Sequence, residues 1–261
     1  MKNNKKVLTV VHDSGFNKDY SNFLDKLNFE INLMTIEDLG INKTNTRMEL
    51  AEKRITNKTF SKLVNNIDVA LFTGGEDVDP SLYGEKKGKF TSINEERDEI
   101  ERALYNALPN STLKLGICRG AQFLTVMSGG KLVQHVEGHG GSHPITIYQK
   151  YPNDKKHVDI FKTDPQKFFY LEMTSTHHQM MFPYNMPRGS NEIIAWSKNY
   201  KSNTYLNGDN HEISLPEQFV EPEIVYYPNN NSLCIQGHPE FPSCSNTTKD
   251  FCIGLIEKYL I

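Results

Sequence analysis

Cysteine is scarce in this 261-residue sequence: there are four, Cys118, Cys234, Cys244 and Cys252, and no two form a Cys-x-x-Cys pair. That spacing excludes a zinc ribbon and a thioredoxin-type redox motif, and it makes reduced thiols in a reducing compartment the default. An excess of charge is missing too. The 29 basic and 32 acidic side chains nearly cancel, to a net of −3, so nothing in the balance points to a nucleic-acid or membrane surface. No apolar run approaches the roughly 20 residues of a membrane-spanning helix. Behind a basic start, the apolar residues 7–11 stop at His12-Asp13, too short for a signal-peptide core. A cytoplasmic protein is expected. The length suits one α/β domain over residues 1–261, enough to bury a large core.

What the chain does have is a sharp motif at residues 113–130. A short apolar run ends at Gly116-Ile117-Cys118-Arg119-Gly120, and residues 121–127 follow without a breaker up to Gly129-Gly130. This predicts strand, tight turn and helix, with a cysteine at the apex. Gly-x-Cys-x-Gly is the sulfur analogue of the nucleophile elbow, in which glycines allow a sharp bend beside a strained residue. A thiol there sits at a helix start, where free N–H groups and the dipole favour negative charge. The N–H of Arg119 is placed to receive an oxyanion. An ordinary buried cysteine at a βα turn explains the pentapeptide equally well. Gln122, one helical turn on, shares a face with Cys118 and could orient an amide substrate; a helix-surface glutamine is the alternative.

This stretch resembles the class I glutamine amidotransferase superfamily, whose elbow reads Gly-x-Cys-x-Gly-x-Gln. Its Gly-Ile-Cys-Arg-Gly-x-Gln form looks most like the γ-glutamyl-γ-aminobutyrate hydrolase (peptidase C26) branch. Other segments carry the same resemblance. Residues 67–72 read as a strand running into Thr73-Gly74-Gly75-Glu76-Asp77-Val78-Asp79-Pro80, with Tyr83-Gly84-Glu85 behind it. In the family this loop is the other half of the oxyanion hole, which implies Gly74 and Gly75 in that role beside Arg119. A helix is predicted over residues 94–108, with Ile100, Ala103, Leu104 and Leu108 on one face. Arg97-Asp98 with Glu101 matches the Arg-Asp-x-x-Glu of the branch, although a solvated charged face fits the pattern as well.

Thr174-Ser175-Thr176-His177-His178-Gln179 is similar to the family's Asn-Ser-x-His-His-Gln, which lines the γ-glutamyl pocket, so His177, His178 and Gln179 are implied substrate contacts. Thr174 stands where the family has Asn. Gln236-Gly237-His238-Pro239-Glu240 supplies a base: a histidine followed two residues later by a glutamate lets the carboxylate hold one ring nitrogen while the other faces a thiol. In the family His-Pro-Glu completes the triad, giving Cys118, His238 and Glu240. Gly237 replaces the usual aromatic and is expected to widen the pocket.

Elsewhere, strands are expected at 6–11, 29–34, 157–161, 192–197, 222–227 and 232–235, the last two as a hairpin, and a strand runs through residues 131–138. Helices are expected at 20–27, 45–65 and 247–261; residues 168–171 read as helical or extended. The polar residues 198–221 read as a surface excursion or partial lid. His135, His139 and His143 are spaced by four, but glycines and a proline rule out a helix there. No carboxylate or cysteine cluster lies near them in the sequence, so no metal site is expected.

The resemblance implies a flavodoxin-like three-layer α/β sandwich around a mostly parallel sheet with an antiparallel C-terminal part. Alternating strands and helices in the first half point to the same class. It implies cysteine-dependent hydrolysis of a γ-glutamyl amide or of glutamine, needing no cofactor. Two alternatives stand beside it: a glutaminase subunit passing ammonia to a separate synthetase, and a catalytically silent binding module. A homodimer is compatible with any of them.

Overall fold

The first strands are short apolar runs between polar turns. The computed structural model describes residues 4–10, 18–35, 38, 64–148 and 168–260, and in it these runs form β1 (Asn4–Val10), β2 (Glu30–Thr35), β3 (Val69–Phe72) and β4 (Leu113–Ile117). Every residue of β3 and β4 is buried, as expected of strands covered on both faces. Successive side chains point to opposite faces, and the core divides accordingly. Val7, Val69 and Leu71 join one cluster, while Leu8, Ala70 and Phe72 join the other.

Helices cover both faces. α1 (Lys18–Leu24) and the C-terminal α4 (Asn246–Tyr259) bury Tyr20, Phe23, Leu24, Cys252, Leu255 and Ile256 in the first cluster. On the second face lie α2 (Glu95–Ala107) and α3 (Arg119–Met127), contributing Ile100, Leu104, Phe123 and Leu124. Each fully buried side chain of this kind contributes about 1.5–3 kcal/mol, which is what holds the layers together. The helix starts are set by capping side chains: Asn94 accepts from Arg97 N at 3.2 Å, and Ser245 accepts from Thr248 N at 3.2 Å.

The remaining strands are β5 (Lys131–Val133), β6 (His135–Val136), β7 (Gly140–Tyr148), β8 (Phe168–Thr176), β9 (Met180–Phe182), β10 (Glu192–Ser197), β11 (Tyr205–Leu206), β12 (Pro222–Tyr227) and β13 (Ser232–Ile235). Among the described residues, a nine-stranded sheet runs β2-β1-β3-β4-β13-β12-β10-β7-β8. It is parallel from β2 to β13 and antiparallel beyond. The three-layer α/β sandwich expected from the sequence is therefore present. The β12–β13 hairpin has its expected bounds and turns through Asn231, at φ 50°.

One local expectation changes and two others are refined. Residues 168–171 are extended, because β8 pairs with β7 along its whole length. Residues 131–138 split into β5 and β6, which pair with β9 and β11 in two separate ribbons. The excursion at 198–221 is anchored within the fold: Tyr205 and Phe219 are buried in a small third core with Val136 and Met180, and β11 is tied to β6. The expected strand at 157–161 and nearly all of the expected helical stretch at 45–65 fall outside the described residues. Among the described residues, no helix is long and apolar enough to cross a membrane.

Candidate active site

At the junction of β4 and α3 the backbone of Cys118 takes φ 53° and ψ −110°. A non-glycine residue in such a region costs about 1–3 kcal/mol and persists only where its surroundings enforce it. Here its N–H donates to Ile235 O at 2.8 Å and its carbonyl accepts from Gln122 N at 3.1 Å. Two glycines are needed for steric reasons. A Cβ on Gly116 would lie 2.5 Å from Gly120 O, and one on Gly120 would lie 2.0 Å from Phe72 O. The elbow predicted from Gly-x-Cys-x-Gly is formed, with the cysteine at the N-terminus of α3.

Beyond β13 the chain passes beside this cysteine. His238 N–H donates to Thr174 O at 2.7 Å, and the Nδ1–H of His238 donates to Glu240 Oε1 at 2.7 Å. That bond leaves Nε2 as the nitrogen available to the thiol. Burial disfavours the imidazolium, yet the nearby Cys118 sulfur and the hydrogen bond to Glu240 outweigh it and raise the His238 pKa to about 10. Gly237 does not widen a pocket as expected. A Cβ there would fall 2.3 Å from Met173 Cγ and 2.7 Å from Thr174 O, so the glycine lets this segment press against β8. The Thr174 hydroxyl lies 3.3 Å from Ser142 Oγ and outside the cavity lining.

The Gly74–Gly75 loop faces the elbow, but its two glycines differ. Gly74, expected at the oxyanion, donates its N–H to the Tyr20 hydroxyl at 3.0 Å. Gly75 (φ 146°) and Arg119 line the cavity.

The loop is fixed from behind by a buried charge network. Arg97 donates to Glu101 Oε1 at 2.7 Å, to Thr73 O at 3.1 Å and to Glu76 Oε2 at 3.3 Å. Arg119 donates to Asp98, to Glu101 and to Glu76 O. The reading of Arg97, Asp98 and Glu101 as a solvated helix face is thus overturned: they are 4%, 2% and 1% exposed. Burial pushes the Asp98 carboxyl up to about 6 even though Arg119 pulls it down.

A cavity of about 280 Å³ opens above Cys118, bordered by Gly75, Asp77, Gln122, His178, Gln179 and His238. That is at the small end of ligand sites, about 300–1,000 Å³. Gln122 donates its Nε2–H to Gln179 O at 2.9 Å, so it braces the 176–179 segment against α3. Gln179 donates to Thr91 Oγ1 at 3.2 Å. His178, half exposed at the mouth, has its Nε2 3.2 Å from Asp77 Oδ1, a hydrogen bond that raises its pKa. His177 also borders the cavity, but its ring is buried, with Nδ1 2.8 Å from Gln179 O.

Behind His177 lies an assembly the sequence did not announce. The His177 and His139 rings are 4.5 Å apart, His143 Nε2 is 2.8 Å from Glu223 Oε1, and Glu221 and Glu223 flank His139 at 3.5 Å each. The carboxylates absent from the neighbourhood of His135, His139 and His143 in sequence arrive through β12 and the segment just before it. Burial raises the cost of the Glu223 charge, but His139 at 3.5 Å and the hydrogen bond with His143 hold its pKa down at about 2.

The sequence matches the family model of peptidase C26 over residues 50–184, just over half of the chain. The chain belongs to the peptidase C26 family. A glutamine amidotransferase-like protein of Rickettsia prowazekii is 42% identical over 156 residues, 57% of this chain and 53% of that protein. The match thus spans about half of that relative's own length. A glutamine amidotransferase from Thermotoga maritima has the same fold, with a TM-score of 0.56 at 12% identity over 98% of each chain. PurLQS from Thermotoga maritima gives a TM-score of 0.52 at 14% identity, over 100% of this chain and 98% of that one. At those identities the likeness is one of fold.

In this peptidase C26 chain, two residues near Cys118 escaped the sequence reading. Tyr20 comes from α1, nearly a hundred positions away, and nothing in its local pattern separates it from a core tyrosine. Asp77 does carry a signal, since it lies within the Gly-Gly-x-Asp motif, but its partner His178 is visible only in three dimensions.

Proposed function

We propose that the chain is a cysteine-dependent hydrolase of the γ-glutamyl amide bond, releasing glutamate from a γ-glutamyl amine or from glutamine. The observation that carries this is Cys118 held at a strained elbow beside His238, whose Nδ1 is fixed by Glu240 at 2.7 Å. Membership of the peptidase C26 family and the glutamine amidotransferase names of its relatives support the same chemistry.

In the proposed reaction the Cys118 thiolate, its proton already held by the His238 imidazolium, attacks the side-chain amide carbon through Sγ. Negative charge on the carbonyl oxygen is met by the N–H groups of Gly75 and Arg119. The C–N bond breaks as His238 protonates the departing amine, leaving a glutamyl thioester. Water then gives a proton to His238, attacks the thioester carbon and frees glutamate and the thiol. Glu240 orients His238 and balances its charge throughout. The short cavity admits a glutamyl group, with Asp77 and His178 at its mouth. The four cysteines are all free, which fits a reducing cytoplasm.

Glutamate release from a panel of γ-glutamyl amides and from glutamine, by the purified chain and by Cys118→Ala, tests this reading. Hydrolysis that depends on Cys118 without any partner is expected. Turnover only in the presence of a synthetase would point to an ammonia-donating subunit. No turnover under either condition would leave a binding module on the same fold.

A further inference from the structure

We propose that His139, His177 and Glu223 form a zinc(II) site behind the wall of the cavity, with Glu221, His143 and the Gln179 carbonyl as its outer shell. The three ligand atoms lie within 4.8 Å of one another, and all three residues are buried. His139 Nδ1 stands 3.5 Å from Glu223 Oε1. Zinc–ligand bonds of about 2.0–2.2 Å give tetrahedral donor-to-donor edges of roughly 3.4 Å, so this pair already has coordination spacing. The other donors need to close by about an ångström.

Unpartnered buried atoms converge on the same point. Among the described residues, His177 Nε2 and Glu223 Oε2 are buried without a hydrogen-bond partner, and the two ring nitrogens of His139 have only the Glu221 and Glu223 carboxylates, 3.5 Å away. A buried polar atom left unpaired costs about 1–3 kcal/mol, and several in one cluster need a common explanation. A metal ion would accept lone pairs from His177 Nε2, from the Glu223 carboxylate and from one His139 nitrogen at once.

Each ligand also has the outer partner that metal sites use to fix tautomer and orientation. His177 donates Nδ1–H to the Gln179 carbonyl at 2.8 Å, which leaves a lone pair on Nε2. Glu221 Oε2 faces His139 Nε2 at 3.5 Å, in the manner of a carboxylate–histidine–metal triad, which turns Nδ1 toward the ion. His143 Nε2 donates to Glu223 Oε1 at 2.8 Å and so fixes the carboxylate whose Oε1 also faces His139 Nδ1. Two imidazoles and a carboxylate form a donor set of the zinc class, with a fourth position for water. The ion would join the 176–179 segment through His177, the β6–β7 turn through His139 and β12 through Glu223. The site is structural, and it stiffens one side of the cavity.

Metal binding by the full chain carrying Cys118→Ala, so that the elbow thiol cannot compete, provides the test. After chelator treatment, zinc(II) is titrated against a chromophoric competitor, and cobalt(II) is added separately for its spectrum. One equivalent per chain is expected, with cobalt d–d bands and no thiolate charge-transfer band. Adding Glu223→Gln or His139→Ala is expected to weaken zinc binding by about 100-fold or more, and Glu221→Gln by about 10–100-fold. Zinc(II) is expected to raise the melting midpoint of the Cys118→Ala protein and not that of its Glu223→Gln derivative. Circular dichroism checks that the derivatives fold. If they do not, the zinc-dependent rise in Cys118→Ala alone decides. No bound equivalent, no rise in midpoint, a thiolate band, or full affinity in a folded His139→Ala protein would each overturn the proposal.

Discussion

Glu101→Gln keeps the side-chain volume and removes one negative charge from the network beneath the Gly74–Gly75 loop. Glu101 bonds two guanidiniums, Arg97 at 2.7 Å and Arg119, and all three side chains are at most 4% exposed. With Glu101 neutral, two buried cations depend on Asp98 and on Glu76, whose side chain is half exposed. Removing one partner from a buried ionic network costs about 3–5 kcal/mol, because the remaining charge is stranded out of water. For a chain of this size 1 kcal/mol moves the melting midpoint by about 2–4 °C, so a fall of roughly 6–20 °C is expected. Urea unfolding and calorimetry of the wild type and variant measure it. Pairing Glu101→Gln with Arg97→Met should recover part of the loss, since the stranded charge is then gone. A loss below about 1 kcal/mol, the value of an exposed pair, would refute the argument that this network is buried and mutually dependent.

Other outcomes follow from the same geometry. Gly120→Ala forces a methyl to within 2.0 Å of the Phe72 carbonyl oxygen, so the elbow must shift. A loss of about 1–3 kcal/mol or more is expected together with loss of turnover, and a stable, active variant would mean that the elbow is looser than described. His238 has its folded pKa at about 10, above the ordinary 6.5, so the stabilisation from its imidazolium is whole below 6.5 and lost as pH rises through 10. The stability gap between wild type and Glu240→Gln should therefore narrow from neutrality to above pH 10, with the imidazole NMR signal titrating in step. A signal titrating at 6.5 in the wild type would contradict this.

How much the sequence disclosed depended on how local each feature is. The β4–Cys118–α3 elbow, α2, α4 and the β12–β13 hairpin depend on glycines, caps and apolar spacing within a few residues, and all were legible. Arg97, Asp98 and Glu101 were misread because periodicity treats charge as solvent-facing. Their burial depends on mutual neutralisation across α2 and α3. The His139–His177–Glu223 cluster was invisible for a topological reason: its members sit in or beside β6–β7, β8–β9 and β12, which are far apart in sequence. Gly237 misled because a missing side chain reads as space, whereas here the space is filled by Met173.

The central claim is that Cys118 forms a glutamyl thioester which His238 helps to resolve. Intact-protein mass spectrometry of acid-quenched reactions with an activated γ-glutamyl anilide tests it most directly. A mass increase of one glutamyl residue is expected, mapped by peptide analysis to Cys118 and persisting longer in His238→Ala whenever that variant acylates at all. Cys118→Ala should show no adduct and no glutamate release, while Cys234→Ala keeps both. Glutamate release at the wild-type rate by Cys118→Ala, or an adduct on another residue, would contradict the account.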